Sequence, residues 1–282
     1  MGDGSEKTFF HRTLAVGSLA LVGLICIAGV FQAFRTPRLH TVQVPIAALS
    51  DAFRGFRLLQ ITDLHLGPTL GRSFLEKVVE TANSQQPDVV VITGDLADGS
   101  PAKLAEVLAL LKDFRAPYGV FFSTGNHEYY LGWEKWREAL ENLGVVLLEN
   151  RCVELIKEGQ TINLAGVNDP DGRRFGHPPD IDQALSGCKP QAPTILLSHQ
   201  ARLIDLAAEK QVSLMLSGHN HGGQIWPWSY LVLLQQPFVS GLHRVGQTWL
   251  YISQGTGFWG PPLRVGTRSE ITLLILKDEK NN

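Results

Sequence analysis

The sequence predicts an α/β domain that follows a single membrane-spanning helix. Short apolar runs typical of buried strands alternate with amphipathic helical segments, which is the pattern of an α/β sheet. Polar residues follow several of those runs, where the strands of such a sheet present their carboxyl ends. A long uncharged stretch near the N-terminus differs in composition from the rest of the chain.

The composition excludes several classes of protein. The chain has 282 residues, of which 44% are hydrophobic and 18% charged, and its formal net charge is -2. High apolar content with little charge argues against intrinsic disorder, and a near-neutral balance gives no support to nucleic-acid binding. Cys26, Cys152 and Cys188 form no CxxC pattern and leave one cysteine unpaired. We therefore expect neither a disulfide scaffold nor a thiolate zinc site.

The uncharged stretch covers residues 13–34 and is dominated by Leu, Ala, Val, Ile and Gly. As a helix it would span about 33 Å, enough for a hydrocarbon core of about 30 Å. A cleaved signal peptide is the alternative, but its apolar region is shorter, roughly 7–15 residues. Residues 30–34 also form a poor cleavage site. The stretch therefore favours an uncleaved anchor, and basic residues on both sides leave its orientation undecided.

The anchor divides the chain into segments. We expect an N-terminal tail, a transmembrane anchor, a connecting segment, one α/β domain and a C-terminal tail over residues 1–12, 13–34, 35–55, 56–276 and 277–282. A domain of this length can bury a substantial hydrophobic core.

Strands and helices alternate within the predicted domain. Buried strands are predicted at the apolar runs over residues 58–61, 89–92, 120–122, 195–197 and 214–216. Amphipathic spacing predicts helices over residues 73–84, 103–114 and 133–143.

Polar clusters directly follow each of these predicted strands. They consist of Asp63 and His65, Asp95, Asn126 and His127, His199, and His219 and His221. The pairs spaced i, i+2 would point to one side in extended backbone. Imidazole, carboxylate and amide groups suit Mn, Fe or Zn, and their number suits two ions that share a carboxylate. A single such residue is more often a turn or capping residue, but a series at successive strand ends favours a metal site.

The series Asp63-x-His65, Gly94-Asp95, Gly125-Asn126-His127-Glu128, His199 and Gly218-His219-x-His221 resembles the calcineurin-like metallophosphoesterase superfamily. The resemblance covers the chain over residues 56–276 and implies a four-layer α/β/β/α sandwich around two divalent metal ions. It implies one ion bound by Asp63, His65 and His221, a second bound by Asn126, His199 and His219, and Asp95 as the bridge. It also implies that His127 is catalytic and that Asp98 orients it. A loop-capping role is the alternative for Asp98.

The resemblance further implies hydrolysis of a phosphodiester or pyrophosphate bond by a metal-activated hydroxide. Manganese is the expected metal, and the ligand types also admit iron or zinc. The anchor, His221-Gly222-Gly223-Gln224 and Gly255-Thr256-Gly257 are similar to a membrane-anchored bacterial branch. That branch includes pyrophosphohydrolases that act on UDP-2,3-diacylglucosamine in lipid A biosynthesis. We therefore expect a single-pass protein of a bacterial inner membrane with a lipid-linked substrate. A broad phosphodiesterase of soluble nucleotides and a non-catalytic membrane scaffold are the alternatives.

Two further segments allow more than one interpretation. Arg173 and Arg174 lie in a turn-rich loop and would bind a second phosphate, although a solvated surface loop is the alternative. Four tryptophans fall within a short stretch, namely Trp226, Trp228, Trp249 and Trp259. They would form an apolar rim that meets lipid, because Trp favours membrane interfaces, and core packing is the alternative.

Overall fold

The computed structural model describes residues 3–279, with side chains from residue 7 onward. Within these residues, two six-stranded mixed sheets face each other and helices cover their outer surfaces. The predicted four-layer α/β/β/α sandwich is confirmed, and one apolar helix precedes it. The expected terminal tails fall partly outside the described residues, at residues 1–2 and 280–282.

The first sheet combines strands from both ends of the domain. Its order is β1-β12-β2-β3-β4-β5, with bounds Arg38–Ile46, Glu270–Asp278, Arg57–Ile61, Val89–Thr93, Val120–Ser123 and Val146–Leu147. β2 to β5 run parallel, and β12 pairs antiparallel with β2 and parallel with β1. Residues 35–55, predicted as a connecting segment, therefore contribute an edge strand of the sheet. β12 also extends past the predicted domain end at residue 276.

The second sheet has a parallel centre with antiparallel edges. Its order is β10-β11-β9-β8-β7-β6, with bounds Gly241–Val245, Thr248–Ile252, Leu214–Ser217, Thr194–Leu197, Gln160–Gly166 and Arg151–Lys157. The four central strands run parallel, and β10 and β6 are antiparallel to their neighbours.

A disulfide joins Cys152 on β6 to Cys188, 36 positions along the chain. The sequence gives no pattern for this pair, because the fold alone brings β6 beside the turn that follows residue 186. One such bond does not make a disulfide scaffold, so this expectation and the single bond are compatible. Cys26 on the apolar helix is the free cysteine of the described residues.

The three helices predicted from amphipathic spacing are present, and the described residues contain four further short α-helices in the domain that the spacing does not predict. Their bounds are α1 Asp3–Phe34, α2 Arg72–Ser84, α3 Pro101–Leu108, α4 Asn126–Tyr130, α5 Trp133–Asn142, α6 Ile181–Ser186, α7 Ile204–Glu209 and α8 Ser229–Val232. The helix predicted over residues 103–114 is α3 followed by a tighter 3₁₀ turn over Ala109–Asp113.

Alternating side chains along the strands build three apolar layers. On β2, Leu58 points between the sheets and Leu59 points toward α2, α3 and α5. On β9, Leu214 joins the core between the sheets, whereas Met215 packs with α6 and α7 on the outer face. Because both faces of these strands are buried, their sequences are continuously apolar instead of alternating.

Helix α1 is long and apolar enough to cross a membrane over Lys7–Phe34, where the mean hydropathy reaches 2.5. Most of its side chains are exposed, as expected for a helix that faces lipid. The helix begins at Asp3, so much of the segment predicted as an N-terminal tail is helical.

The layered core predicts that Leu58→Ala is strongly destabilising. The substitution should lower the free energy of unfolding by about 2–5 kcal/mol, because it opens a cavity between the sheets. Ile156→Ala on β6 is the control, since that side chain is exposed and its loss should cost no more than about 0.5 kcal/mol. Denaturant unfolding of the full chain in detergent measures both, and equal losses would contradict the layered packing.

Candidate metal centre

The predicted ligands meet at the carboxyl ends of strands from both sheets. They follow β2, β3 and β4 of the first sheet and β8 and β9 of the second: Asp63, His65, Asp95, Asn126, His199, His219 and His221. Because the two sheets present these ends on the same side, distant parts of the chain come together. His65 and His221, 156 positions apart, have their Nε2 atoms 3.2 Å from each other.

The described residues contain three groups of possible ligands, one of which joins His65 to Asp98 and His127, and the predicted ligands form the other two. The ligand atoms within each group lie within 4.8 Å of one another, and these other two groups are Asp63, His65 and His221, and Asp95, His199 and His219. Asp95 connects its own group with the other, because its Oδ2 is 3.2 Å from His199 Nε2 and 3.8 Å from His65 Nε2. This arrangement suits two ions that share one carboxylate.

The donor atoms fit divalent cations. His199 Nε2 and His219 Nδ1 are 3.2 Å apart, as are the Nε2 atoms of His65 and His221. At this distance one proton can lie between the two imidazole nitrogens of each pair. A metal cation that accepts both lone pairs would satisfy the two nitrogens equally well. Asn126 Oδ1 is buried and accepts no hydrogen bond from the described residues, which leaves it available as a ligand.

Burial and neighbouring charges set the protonation of these groups. Burial raises the pKa of Asp63, whereas at Asp95 the adjacent His199 outweighs burial and holds the pKa well below its usual range. Burial and the charge of His199 lower the pKa of His219 to about 3. Burial, helped by His65, also lowers the pKa of His221. Neutral His219 and His221 are in the protonation state that metal binding requires, whereas Asp95 outweighs burial and raises the pKa of His199, so a bound ion would displace a proton there.

The backbone carries these ligands in left-handed turns. φ is 53° at Asp63, 46° at His65, 51° at Asp95, 68° at His219 and 48° at His221. The expectation that the i, i+2 pairs use extended backbone is therefore wrong, because each strand has ended before its ligands begin. Non-glycine residues in this conformation cost roughly 1–3 kcal/mol each and persist where the surrounding structure fixes them. The amides of Asp63 and His65 donate to carbonyls of the loop after β3, each at 3.1 Å.

Asp98 connects a predicted ligand with the predicted catalytic histidine. Its Oδ1 accepts from His127 Nδ1 at 2.7 Å and from His65 Nδ1 at 3.0 Å. Since a carboxylate only accepts, both rings carry a proton on Nδ1 and turn Nε2 away from Asp98. Burial opposes charge on His127, but the hydrogen bond to Asp98 outweighs it and raises the pKa of His127. The sequence predicts the contact with His127 but not the contact with His65.

Glu128 is a functional-site residue to which the sequence analysis gives no role. Its carboxylate is buried and accepts from the amides of Gly125 at 2.7 Å, Leu96 at 2.8 Å and Asp95 at 3.1 Å. Glu128 thereby ties the loop after β3 to the start of α4. Its position three residues after Gly125 is that of the acidic member of a capping box, so the signal is present in the sequence.

A cavity of 690 Å³ opens over the two groups. Predicted site residues line its floor, and an apolar wall is formed by Ile225, Trp228, Val232, Trp259 and Pro261. The rings of His127 and Trp259 are 6.3 Å apart, so this wall stands beside the predicted catalytic side chain. Arg173 and Arg174 are not among the described residues that line the cavity. Both side chains are exposed on the 3₁₀ turn Pro170–Phe175, so the structure does not bring them to the site.

The four tryptophans divide between the surface and the interior. Trp226, Trp228 and Trp259 are 63%, 63% and 56% exposed. Trp249 instead packs on the core between the sheets, with Arg244 5.2 Å above its ring. Core packing therefore explains Trp249, and an apolar rim remains a prediction for the other three.

Comparison with known proteins gives consistent matches. The model of the calcineurin-like phosphoesterase family matches residues 56–223 of this chain. A transmembrane protein with metallophosphoesterase domain from Danio rerio is 38% identical over 278 residues, which cover 95% of this chain and 63% of that protein. The protein of the same name from Bos taurus is 38% identical over 288 residues, covering 98% of this chain and 64% of that protein. An uncharacterized metallophosphoesterase from Campylobacter jejuni is 39% identical over 277 residues, covering 97% of this chain and 71% of that protein.

The chain spans slightly less than two thirds of the length of the two vertebrate relatives. The relatives come from animals as well as bacteria, so they do not support the expected restriction to a bacterial branch. The names of the vertebrate proteins agree with a membrane anchor. The family model covers more than half of the chain, and the predicted class of enzyme is confirmed at that level. This chain belongs to the calcineurin-like phosphoesterase family.

Proposed function

We propose that this chain is a membrane-anchored phosphoesterase that uses two divalent metal ions to hydrolyse a phosphodiester or pyrophosphate bond of a lipid-linked substrate. One observation carries the proposal: the two ligand groups lie under a cavity whose wall is aromatic and aliphatic. With both metal ions bound the floor would be cationic and would suit the phosphate, and an apolar wall suits an acyl chain.

The ligand groups define the proposed metal binding. Asp63, His65 and His221 would hold one ion, and Asn126, His199 and His219 the other, with Asp95 shared between them. When bound, the ions supply a nucleophile activated at neutral pH and positive charge opposite the phosphate oxygens. Manganese is the proposed metal, and the same nitrogen and oxygen ligands also accommodate iron or zinc.

His127 is the proposed catalytic residue. Its ring lines the cavity, and Asp98 holds Nδ1, so that Nε2 lies 3.9 Å from Asp95 Oδ2 at the centre of the site. The raised pKa of His127 favours a ring that is protonated on both nitrogens. Nε2 would therefore donate a hydrogen bond to a phosphate oxygen, or a proton to the departing oxygen.

The anchor and the exposed aromatic side chains support a lipid-linked substrate. Helix α1 would keep the cavity near a bilayer, and the exposed Trp228, Trp259 and Leu234 suit its interfacial region. UDP-2,3-diacylglucosamine, a precursor in lipid A biosynthesis, is one compound with the required pyrophosphate and acyl chains. A bacterial inner membrane is the corresponding proposed location.

Two other functions compete with this proposal. A non-catalytic scaffold needs no ligand set, so the clustering of the seven predicted ligands, with Asp95 among them, argues against it. A phosphodiesterase of soluble nucleotides needs no apolar wall, so Trp228, Val232 and Trp259 on the cavity argue against that function.

Asp95→Asn should abolish metal-dependent hydrolysis while the chain stays folded. The amide keeps the shape of the carboxylate but loses the charge that both ions would share, and we expect at least about a hundredfold loss of kcat. Bound manganese and hydrolysis of bis-p-nitrophenyl phosphate are measured on the full chain in detergent. Asp205→Asn, an exposed residue of α7, is the control. Wild-type turnover in Asp95→Asn would contradict the dinuclear site.

His127→Ala should retain both metal ions and lose most of the rate. His127 is not among the proposed ligands, and removal of a general acid typically lowers kcat about 10²–10⁴-fold. Metal content by mass spectrometry and turnover are measured on the same preparation. A variant that loses metal in parallel with activity would show that His127 acts as a ligand, and full activity would exclude both roles.

Trp228→Ala should selectively weaken the use of a lipid-linked substrate. Losing this part of the apolar wall should raise KM for UDP-2,3-diacylglucosamine about tenfold, equivalent to roughly 1.4 kcal/mol, and leave UDP-glucose hydrolysis unchanged. Trp226→Ala is the control, since Trp226 is equally exposed but does not line the cavity. If the wild type has equal kcat/KM for the two compounds, the proposal of a lipid-linked substrate is rejected. If the wild type hydrolyses neither compound, both are rejected as substrates.

A further inference from the structure

The last turns of helix α1 pack on the catalytic domain. Gly29 and Ala33 are buried, although the side chains around them on the helix are mostly exposed. Ala33 contributes to a small apolar cluster with Leu70 and Phe258. The rings of Phe34 and Phe258 also meet edge to face, with centroids 5.5 Å apart. The helix therefore contacts the domain beyond its covalent connection at residue 35.

Gly29 is the point of closest approach between the helix and the domain. The amide of Arg264 donates to the carbonyl of Gly29 at 3.0 Å. A Cβ at Gly29 would lie 2.5 Å from Leu263 Cδ1 and 3.2 Å from the Arg264 carbonyl oxygen. Gly17 and Gly23, on the same helix, have no such neighbour within 4 Å. The lack of a side chain at Gly29 thus permits the contact.

Arg264 continues this contact to the candidate metal centre. Its side chain is buried, with 1% exposed, and the guanidinium donates to the carbonyls of Gly257 at 2.6 Å, Gln254 at 2.8 Å and His221 at 3.3 Å. Burial of a guanidinium is unfavourable unless its N–H groups are paired, and these carbonyls provide the pairing. Arg264 therefore binds the backbone of a predicted ligand on one side and the backbone of α1 on the other.

Residues just before Arg264 also contact the loop after β2, which carries the predicted ligand Asp63. The amide of Gly257 donates to the Asp63 carbonyl at 2.8 Å, and the amide of Thr256 donates to the Thr62 carbonyl at 2.8 Å. A Cβ at Gly257 would lie 2.3 Å from the Leu64 carbonyl oxygen, so the segments are in close contact. The segment over residues 254–264 thus holds the backbone of Asp63 as well as that of His221.

We propose that the docked end of α1 positions the candidate metal centre through the segment over residues 254–264, so that the helix is a structural part of the site. Gly29, Phe34 and Arg264 are positioning residues in this proposal. The path from the helix to His221 is short, because Arg264 contacts Gly29 and His221 directly. The proposal rests on the proposed function, in which His221 and Asp63 bind metal.

Docking distinguishes the end of α1 from the rest of the helix. Most side chains over Lys7–Phe34 are exposed, whereas Gly29 and Ala33 are buried. A helix that acted only as a tether would have no reason to bury Gly29 and Ala33 against the segment that holds His221.

The first test compares Gly29→Leu with Gly23→Leu in the full chain in detergent. Leucine at Gly29 should displace the backbone of Arg264, whereas leucine at Gly23 meets only detergent or lipid. We expect Gly29→Leu to bind manganese about 10-fold more weakly and to lose a similar factor in kcat, since supporting contacts of ligands typically contribute 10–100-fold. Gly23→Leu should match the wild type in both measurements.

The second pair, Phe34→Ala and Phe31→Ala, introduces no clash and therefore keeps the test decisive if Gly29→Leu does not fold. Phe34 contacts Phe258, whereas Phe31 is 72% exposed on the helix. We expect weaker manganese binding for Phe34→Ala alone. Wild-type manganese affinity in both folded Gly29→Leu and Phe34→Ala would overturn the proposal. A wild-type chain that neither binds manganese nor hydrolyses bis-p-nitrophenyl phosphate would instead refute the proposed function.

Discussion

The burial of two carboxylates among several imidazoles, where two sheets meet, is the constraint on which the rest of the structure depends. An isolated charge in such a place is strongly unfavourable, so each group needs partners. Thr62 Oγ1 donates a hydrogen bond to Asp63 at 2.7 Å, and Asp98 accepts hydrogen bonds from two histidines. The buried carboxylate of Glu128 accepts hydrogen bonds from three backbone amides of the surrounding loops. The strand ends must therefore lie close together, and the apolar layers behind them hold that alignment.

Most of the fold could be predicted because its strands are buried on both faces and its main helices are amphipathic. Continuous runs such as residues 89–92 and 214–216 mark strands without information from the rest of the chain. The insertion of β12 between β1 and β2 could not be predicted in this way. That pairing joins the two ends of the domain and depends on tertiary contacts rather than on a local pattern. The Cys152–Cys188 bond escapes prediction for the same reason.

At the site, residue identities could be predicted better than their geometry. Strand ends indicated the side chains now found around Asp95, but not the left-handed backbone that carries them. The hydrogen bond from His65 to Asp98 and the burial of Arg264 both result from contacts between loops that are far apart in sequence. Arg173 and Arg174 are predicted at the site but are exposed to solvent. A turn-rich basic loop has the same sequence pattern whether it faces a cavity or solvent. Hydrophobic periodicity predicts which side chains are buried, whereas the contact between two loops depends on the whole fold.

The disulfide between Cys152 and Cys188 links the catalytic domain to the chemistry of its surroundings. Such bonds form and persist in oxidising compartments and are reduced in the cytosol. The bond closes a stretch of 36 positions at the edge of the second sheet, next to α6. In a reducing compartment this edge would be held by packing and by the pairing of β6 with β7, without a covalent link. The redox state of this pair of cysteines is thus tied to the face of the membrane on which the domain resides.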